Sequence, residues 1–173
     1  MRALHASCAC TQRGTDFAAY VALYPVCARR YIDSANVAAR PIRVFHGTAD
    51  LIAPIDQCRS YLQRLKSAGA DVVLTEYVGA HHGFDSRALS ATAAAPVEPA
   101  VRPCDLYEEP TGRIMNRATA APFTRNDDCT KRPRYTAYDG NAQIKAAEDV
   151  KQFLRAVLHL GADRPSAALI VRS

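Results

Sequence analysis

No stretch of this 173-residue chain approaches the roughly 20 consecutive apolar residues of a membrane-spanning helix, although 49% of its residues are apolar. A soluble chain with no membrane partner is expected. Residues 1–14 carry Arg2 and then small, Cys and polar residues, without the apolar stretch of about 7 to 15 residues that a signal peptide needs. The net charge of +5 is scattered, and only Lys131, Arg132 and Arg134 cluster, in a polar, Pro-containing stretch. Nucleic-acid binding needs a basic patch or stripe, so that cluster reads as a solvated loop and no nucleic-acid partner is expected. The six cysteines show no paired C-x-x-C spacing. A metal site from His81, His82, Asp85 and the pair Cys8 and Cys10 is a poor third reading, because adjacent histidines rarely project to one ion and no zinc spacing is matched. No cofactor is expected. Internal repeats and low-complexity tracts are also absent.

The length suits one domain with a real core and is too short for two. Residues 17–26 are almost continuously apolar and read as a strand buried on both faces. The run Ile42-Arg43-Val44-Phe45-His46 follows Pro41 and is closed by Gly47-Thr48-Ala49-Asp50, and resembles a second core strand. Pro54 then suits the first position of a helix, and Ile55, Cys58, Leu62 and Leu65 recur at helical spacing until Gly69. The β-branched run Val72-Val73-Leu74-Thr75-Glu76-Tyr77-Val78 completes a βαβ unit, whose crossover is right-handed.

Residues 86–140 change character, with six prolines, many small residues and no sustained period; a long irregular insertion is expected. Cys104 and Cys129 bracket it as a candidate tie. Fifteen pairings of six cysteines are open; Cys27 with Cys58 and Cys104 with Cys129 are favoured, and the other reading is that all six are reduced. A periplasmic or secreted location is favoured if they pair. The chain recovers at Asp139-Gly140-Asn141, a helix cap, before a helix expected to present Ile144, Val150, Phe153, Leu154, Val157 and Leu158 on one side, with Gly161 after it. The expected organisation is an N-terminal segment 1–16 (poorly ordered or helical), a domain 17–163 and a tail 164–173.

Asp50 lies just past one core strand and His82, in Gly79-Ala80-His81-His82-Gly83-Phe84-Asp85, just past the next, so both should reach the same rim of a parallel sheet. A triad hydrolase needs a base there and a carboxylate to hold its tautomer. In α/β-hydrolases the order along the chain is nucleophile, acid, base, and acid before base is met. From Tyr24 to Phe84 the sequence resembles the dienelactone hydrolase family: a strand ending Tyr-Pro, a strand leading to His-Gly-x-x-Asp, then Pro and a helix bearing Cys58, then Gly-Ala-x-His-x-Phe. A weaker likeness, to members with an extended C-terminal part, runs from Arg113 through Asn116, Phe123 and Asp128-Cys129 to the last helix. The resemblance implies an α/β class, a partial α/β-hydrolase fold with a mostly parallel sheet flanked by helices, and hydrolysis of a small-molecule ester or lactone. It implies that Asp50 orients and His82 is the catalytic base, with His81 at the variable position. His81 is expected to face solvent or cap the loop, His46 to be structural, and His5 and His159 to lie on the surface.

The nucleophile elbow Gly-x-Ser-x-Gly, or its Cys version, does not occur in the chain. Ser7, Cys8 and Cys10 precede the first strand without flanking glycines and are not expected to serve. The chain is therefore expected to be a C-terminal portion holding acid and base only, nearly inert alone, with an upstream segment or a homo-oligomer covering the sheet edge and a misplaced start site or a second polypeptide accounting for the rest. The competing reading is a non-catalytic binding or interaction module on the same scaffold.

Overall fold

The structure is a computed structural model that describes residues 17–34, 36–89, 103–131 and 135–160. Both terminal segments, 1–16 and 164–173, lie outside the described residues, and with them His5, Ser7, Cys8, Cys10, Gly161, Arg132 and Arg134.

Strand β1 (Tyr20–Leu23), β3 (Ile42–Gly47) and β4 (Val72–Tyr77) form a parallel sheet in the order β1-β3-β4. Between β1 and β3 the chain makes the two-residue strand β2 (Arg29–Arg30). Helix α1 (Ile55–Ser67) crosses over from β3 to β4. Side chains alternate across a strand, and the sheet accordingly sorts its residues into two cores. On one face, Ile42, Val44 and Val72 pack with Cys58, Tyr61, Leu62 and Leu65 of α1. On the other, Phe45 and Tyr77 pack with Phe84 and with Ala142 and Ala146 of α2 (Gly140–Val157). Emptying a site such as Leu62 or Phe45 to Ala would cost about 2–5 kcal/mol.

The helix boundaries follow from local chemistry. Gly69 has φ +89, a left-handed conformation that glycine adopts without a Cβ penalty. Its N–H bonds Lys66 O at 3.0 Å and that of Ala70 bonds Leu65 O at 3.0 Å, which together close α1 in a Schellman motif. Asp139 caps α2, its carboxylate accepting from the N–H groups of Asn141 and Ala142, both at 3.0 Å.

The expectations for β1 and α2 need correction. The 17–26 run is not buried on both faces: β1 is half-buried throughout, because it is an edge strand paired only with β3 among the described residues. In α2 the buried stripe is Ala142 and Ala146, with Val150 packed against it. Ile144 is 59% exposed and Leu158 47%; at 100° per residue Ile144 stands about 200° from Ala142, away from the sheet.

Residues 103–131, inside the stretch expected to lack regular structure, carry three short strands and a 3-10 turn (Asp128–Lys131). β5 (Leu106–Glu108) runs parallel to β2, and β6 (Ile114–Asn116) and β7 (Ala121–Pro122) follow antiparallel, giving a second sheet ordered β2-β5-β6-β7. Strands of two or three residues leave no period to read. Both favoured cysteine pairs are joined, Cys27 to Cys58 and Cys104 to Cys129, each with Cα atoms 4.9 Å apart. The first ties the chain after β1 to α1. The second ties the entry of β5 to the 3-10 turn. Lys131, from the basic cluster, pairs with Asp128 at 2.6 Å on the surface.

Candidate active site

The site is built where β3 and β4 end. Gly47 closes β3 against the next loop so tightly that a Cβ there would lie 2.1 Å from the carbonyl oxygen of Ala80. That approach lets backbone bonds stitch the two loops together: Thr48 N–H donates to Tyr77 O and Ala49 N–H to Ala80 O, both at 3.0 Å, while Gly79 N–H donates to the Thr48 hydroxyl at 2.9 Å. The loop after β3 carries Asp50 and the loop after β4 carries His82.

Asp50 has a fully buried side chain. Its Oδ1 accepts from the N–H groups of Ile52 at 2.9 Å and Ala53 at 2.8 Å, which holds the carboxylate in one orientation. Its Oδ2 faces His82 Nδ1 at 2.8 Å. A carboxylate only accepts, so Nδ1–H is the donor, and Nε2 is left as the ring nitrogen available for proton transfer. The His82 side chain is 22% exposed, so the ring is held at its base and open towards solvent.

Tyr24, the residue after β1, packs its ring 4.5 Å from that of His82 and edge-on to Phe84 at 5.6 Å. Its hydroxyl donates to Asp85 Oδ1 at 3.0 Å. Burial, then the bond and charge of Asp85 and finally Asp50, push the phenol up to about 12. Tyr24 has φ 36, a conformation uncommon outside glycine, and its N–H is bonded to Phe45 O at 2.8 Å. The segment leading into α2 straps the loop that carries His82: Thr136 bridges His82, Ala137 N–H donates to His82 O at 3.3 Å, and Asp139 N–H to Phe84 O at 2.9 Å.

The remaining histidines separate. His46 is fully buried, donates from Nδ1 to Gly47 O at 3.0 Å, and holds Nε2 3.9 Å from Asp50 Oδ2, beyond hydrogen-bond reach. Expected to face solvent or cap the loop, His81 is instead half-buried with its ring edge-on to Tyr135 at 4.3 Å; Tyr135 returns from far along the chain to cover it. His159 is exposed. Sequence reasoning assigned no role to Tyr24 or Thr136. The Tyr-Pro at the end of β1 was a signal for the first, whereas nothing in the pattern marked the second. Among the described residues no group of three or more His, Cys, Asp or Glu is placed to hold a metal ion.

A parallel sheet whose adjacent strands end in a carboxylate and an imidazole has the architecture of the α/β-hydrolases. The chain belongs to the dienelactone hydrolase family, whose family model matches residues 5–108. It is similar to esterase LipC of Mycobacterium tuberculosis, at 42% identity over 48 residues that make up 27% of this chain and 12% of LipC. It is also similar to esterase 2 of Thermogutta terrifontis. The sarin-phosphonylated structure of that esterase is 40% identical over 26% of this chain and 16% of its own, with a TM-score of 0.26. Its native structure is 23% identical over 74% of this chain and 28% of its own, with a TM-score of 0.35. The chain thus spans less than a third of either esterase.

Proposed function

We propose that this chain supplies the acid and the base of an ester or lactone hydrolase, with His82 as general base and then general acid and Asp50 as its orienting partner. The observation that carries the reading is the 2.8 Å contact from His82 Nδ1 to a fully buried Asp50 carboxylate. In this mechanism Nε2 removes the proton of a nucleophile as it attacks the carbonyl carbon of the ester, and the imidazolium that forms is stabilised by Asp50. The same proton then passes to the leaving alkoxide. A second cycle, with water in place of the nucleophile, releases the acid.

The nucleophile is not assigned to any described residue. The absence of a Gly-x-Ser-x-Gly or Gly-x-Cys-x-Gly elbow from the chain favours a second reading, a non-catalytic binding module that keeps the scaffold. The test is turnover of a 4-nitrophenyl ester by the protein purified from its natural source, at whatever length it occurs there, beside the 173-residue chain. Hydrolysis by the native form that is abolished by His82→Ala, with the 173-residue chain nearly inert, supports the hydrolase. A native form without activity, or with activity that His82→Ala leaves intact, gives the module reading.

A further inference from the structure

The fully buried ring of His46, next to last in β3, turns both of its nitrogens to oxygens that only accept. Nδ1 is 3.0 Å from the carbonyl oxygen of Gly47, and Nε2 is 3.9 Å from Oδ2 of Asp50. A neutral imidazole has one N–H and one lone pair. With its hydrogen on Nδ1, the lone pair of Nε2 is aimed at a carboxylate, and Nε2 has no hydrogen-bond partner among the described residues. With the hydrogen on Nε2, the lone pair of Nδ1 meets the Gly47 carbonyl instead. Either tautomer sets one buried lone pair against another, an arrangement made costly by the low local dielectric. Only a ring with a hydrogen on each nitrogen matches both oxygens.

Asp50 poses the complementary problem. Its side chain is fully buried, and its bonds from the Ile52 and Ala53 amides and from His82 Nδ1 bring hydrogen but no net charge while His82 is neutral. Buried carboxylates are ordinarily paired with a cation. His82 cannot be that cation at rest, because a general base needs its lone pair on Nε2. The other acids near His46 do not relieve the imbalance. Glu76 of β4 is its register partner and lies within electrostatic reach of it. Glu76 and Asp56 of α1 share the single guanidinium of Arg59, at 2.8 and 2.7 Å, so two carboxylates there meet one cation.

We infer that His46 is a positioning residue that carries a second proton: as an imidazolium it balances the charge of Asp50, so that Asp50 orients His82 without drawing a proton onto its Nε2. The proton follows from the geometry of His46, and its role rests on the hydrolase reading. Burial opposes a charged ring, but an opposite charge within about 4–6 Å favours one, and here the facing acids outnumber the cations. At 3.9 Å the contact is an ion pair and not a hydrogen bond. When His82 takes up the nucleophile's proton, two imidazoliums share one carboxylate. That weakens the hold of His82 on the proton and favours its transfer to the leaving alkoxide.

The proton is read without turnover. The 173-residue chain, labelled with heavy nitrogen at its histidines, is measured by NMR at neutral pH. The ring nitrogen shifts of His46 are expected to show a hydrogen on both nitrogens, and those of His82 a hydrogen on Nδ1 only. His46→Gln keeps an N–H donor without the charge, and His46→Phe removes both. Each should move the His82 Nε2 shift towards the doubly protonated form, and the acid limb of ester turnover by the native form should move to higher pH, changes that a merely structural His46 would not produce. The first measurement needs no substitution, so it decides even where a variant fails to fold. A single hydrogen on His46, or a His82 ring unchanged in both folded variants, would overturn the inference. A doubly protonated His46 in a protein whose native form hydrolyses no ester leaves the ion pair standing and removes the hydrolase reading. Hydrolysis that depends on His82 beside a singly protonated His46 does the reverse.

Discussion

The rings of Tyr24 and His82 stand 4.5 Å apart, tilted by 59°, at the ends of two strands that do not touch each other, since β3 lies between them. Tyr24 is in turn anchored through its hydroxyl to Asp85, three residues past His82. His82 is thus bonded at one nitrogen by Asp50 and packed on its ring by Tyr24, and both constraints bear on the catalytic reading.

Asp50→Asn keeps an oxygen for the Ile52 and Ala53 amides but turns an NH2 towards His82 Nδ1. The ring is then driven to the tautomer with the proton on Nε2. Ester turnover by the native form should fall by about 10⁴-fold, by analogy with the loss in serine proteases, while the fold is retained. The check is kcat alongside the imidazole nitrogen shifts of His82; unchanged tautomer and unchanged kcat would count against Asp50 as the orienting group.

Tyr24→Phe removes the hydroxyl bonded to Asp85 and keeps the ring. A stability loss of about 1 kcal/mol is expected. The phenol, ordinarily near 10, is pushed up to about 12 in the fold, so folding favours its protonated form. The stability this contributes is complete below the unfolded value and is lost as pH rises from about 10 through 12. Chemical denaturation between pH 9 and about 12 should show a shallower decline in Tyr24→Phe than in the parent; equal slopes would refute the coupling.

The cysteine pairs predict a thiol count. Unfolded without reductant, the chain should show at most two free thiols of six, because Cys27, Cys58, Cys104 and Cys129 are paired. Bridges with sequence separations of 31 and 25 each contribute about 3–4 kcal/mol in the chain-entropy model, so reductant should lower Tm markedly. More than two thiols would remove both pairings from consideration as a set.

Gly47→Ala places a methyl 2.1 Å from a backbone oxygen. Neither atom is the tip of a flexible side chain, so one loop must move. Large destabilisation, several kcal/mol by the usual cost of overpacking and strain, is expected, with loss of the Asp50–His82 contact seen as a change in the His82 ring signals. Gly69→Ala meets nothing within 4 Å and pays only for its positive φ, so it should be the milder of the two; the reverse order in urea denaturation would contradict the packing argument.

That Asp50 and His82 would meet was legible before the fold because the two residues share one local rule. Asp50 and His82 each follow a strand of a single βαβ unit, and the parallel pairing of those strands brings both to one rim. Cys58 and Leu62 were legible for the same reason, since helical period marks a buried face. Ile144 misled because an apolar residue does not announce which side of α2 the sheet will take, and the narrow stripe of Ala142 and Ala146 won the contact. The edge position of β1 was equally silent, as a run of apolar residues reads the same in an edge strand and a central one.

What the sequence determined by itself is what short-range periodicity and spacing encode: the apolar run of β3, the stripe of α1, the caps at Gly69 and Asp139, and the order of Asp50 and His82 after neighbouring strands. Tertiary structure alone decided the contacts made across long stretches of chain. Arg29 and Arg30 pair with Leu106 and Tyr107, Tyr135 covers His81, and Tyr24 reaches Asp85. Such contacts depend on where distant segments come to rest when buried area and hydrogen bonding are satisfied together, and no local pattern of residues carries that information.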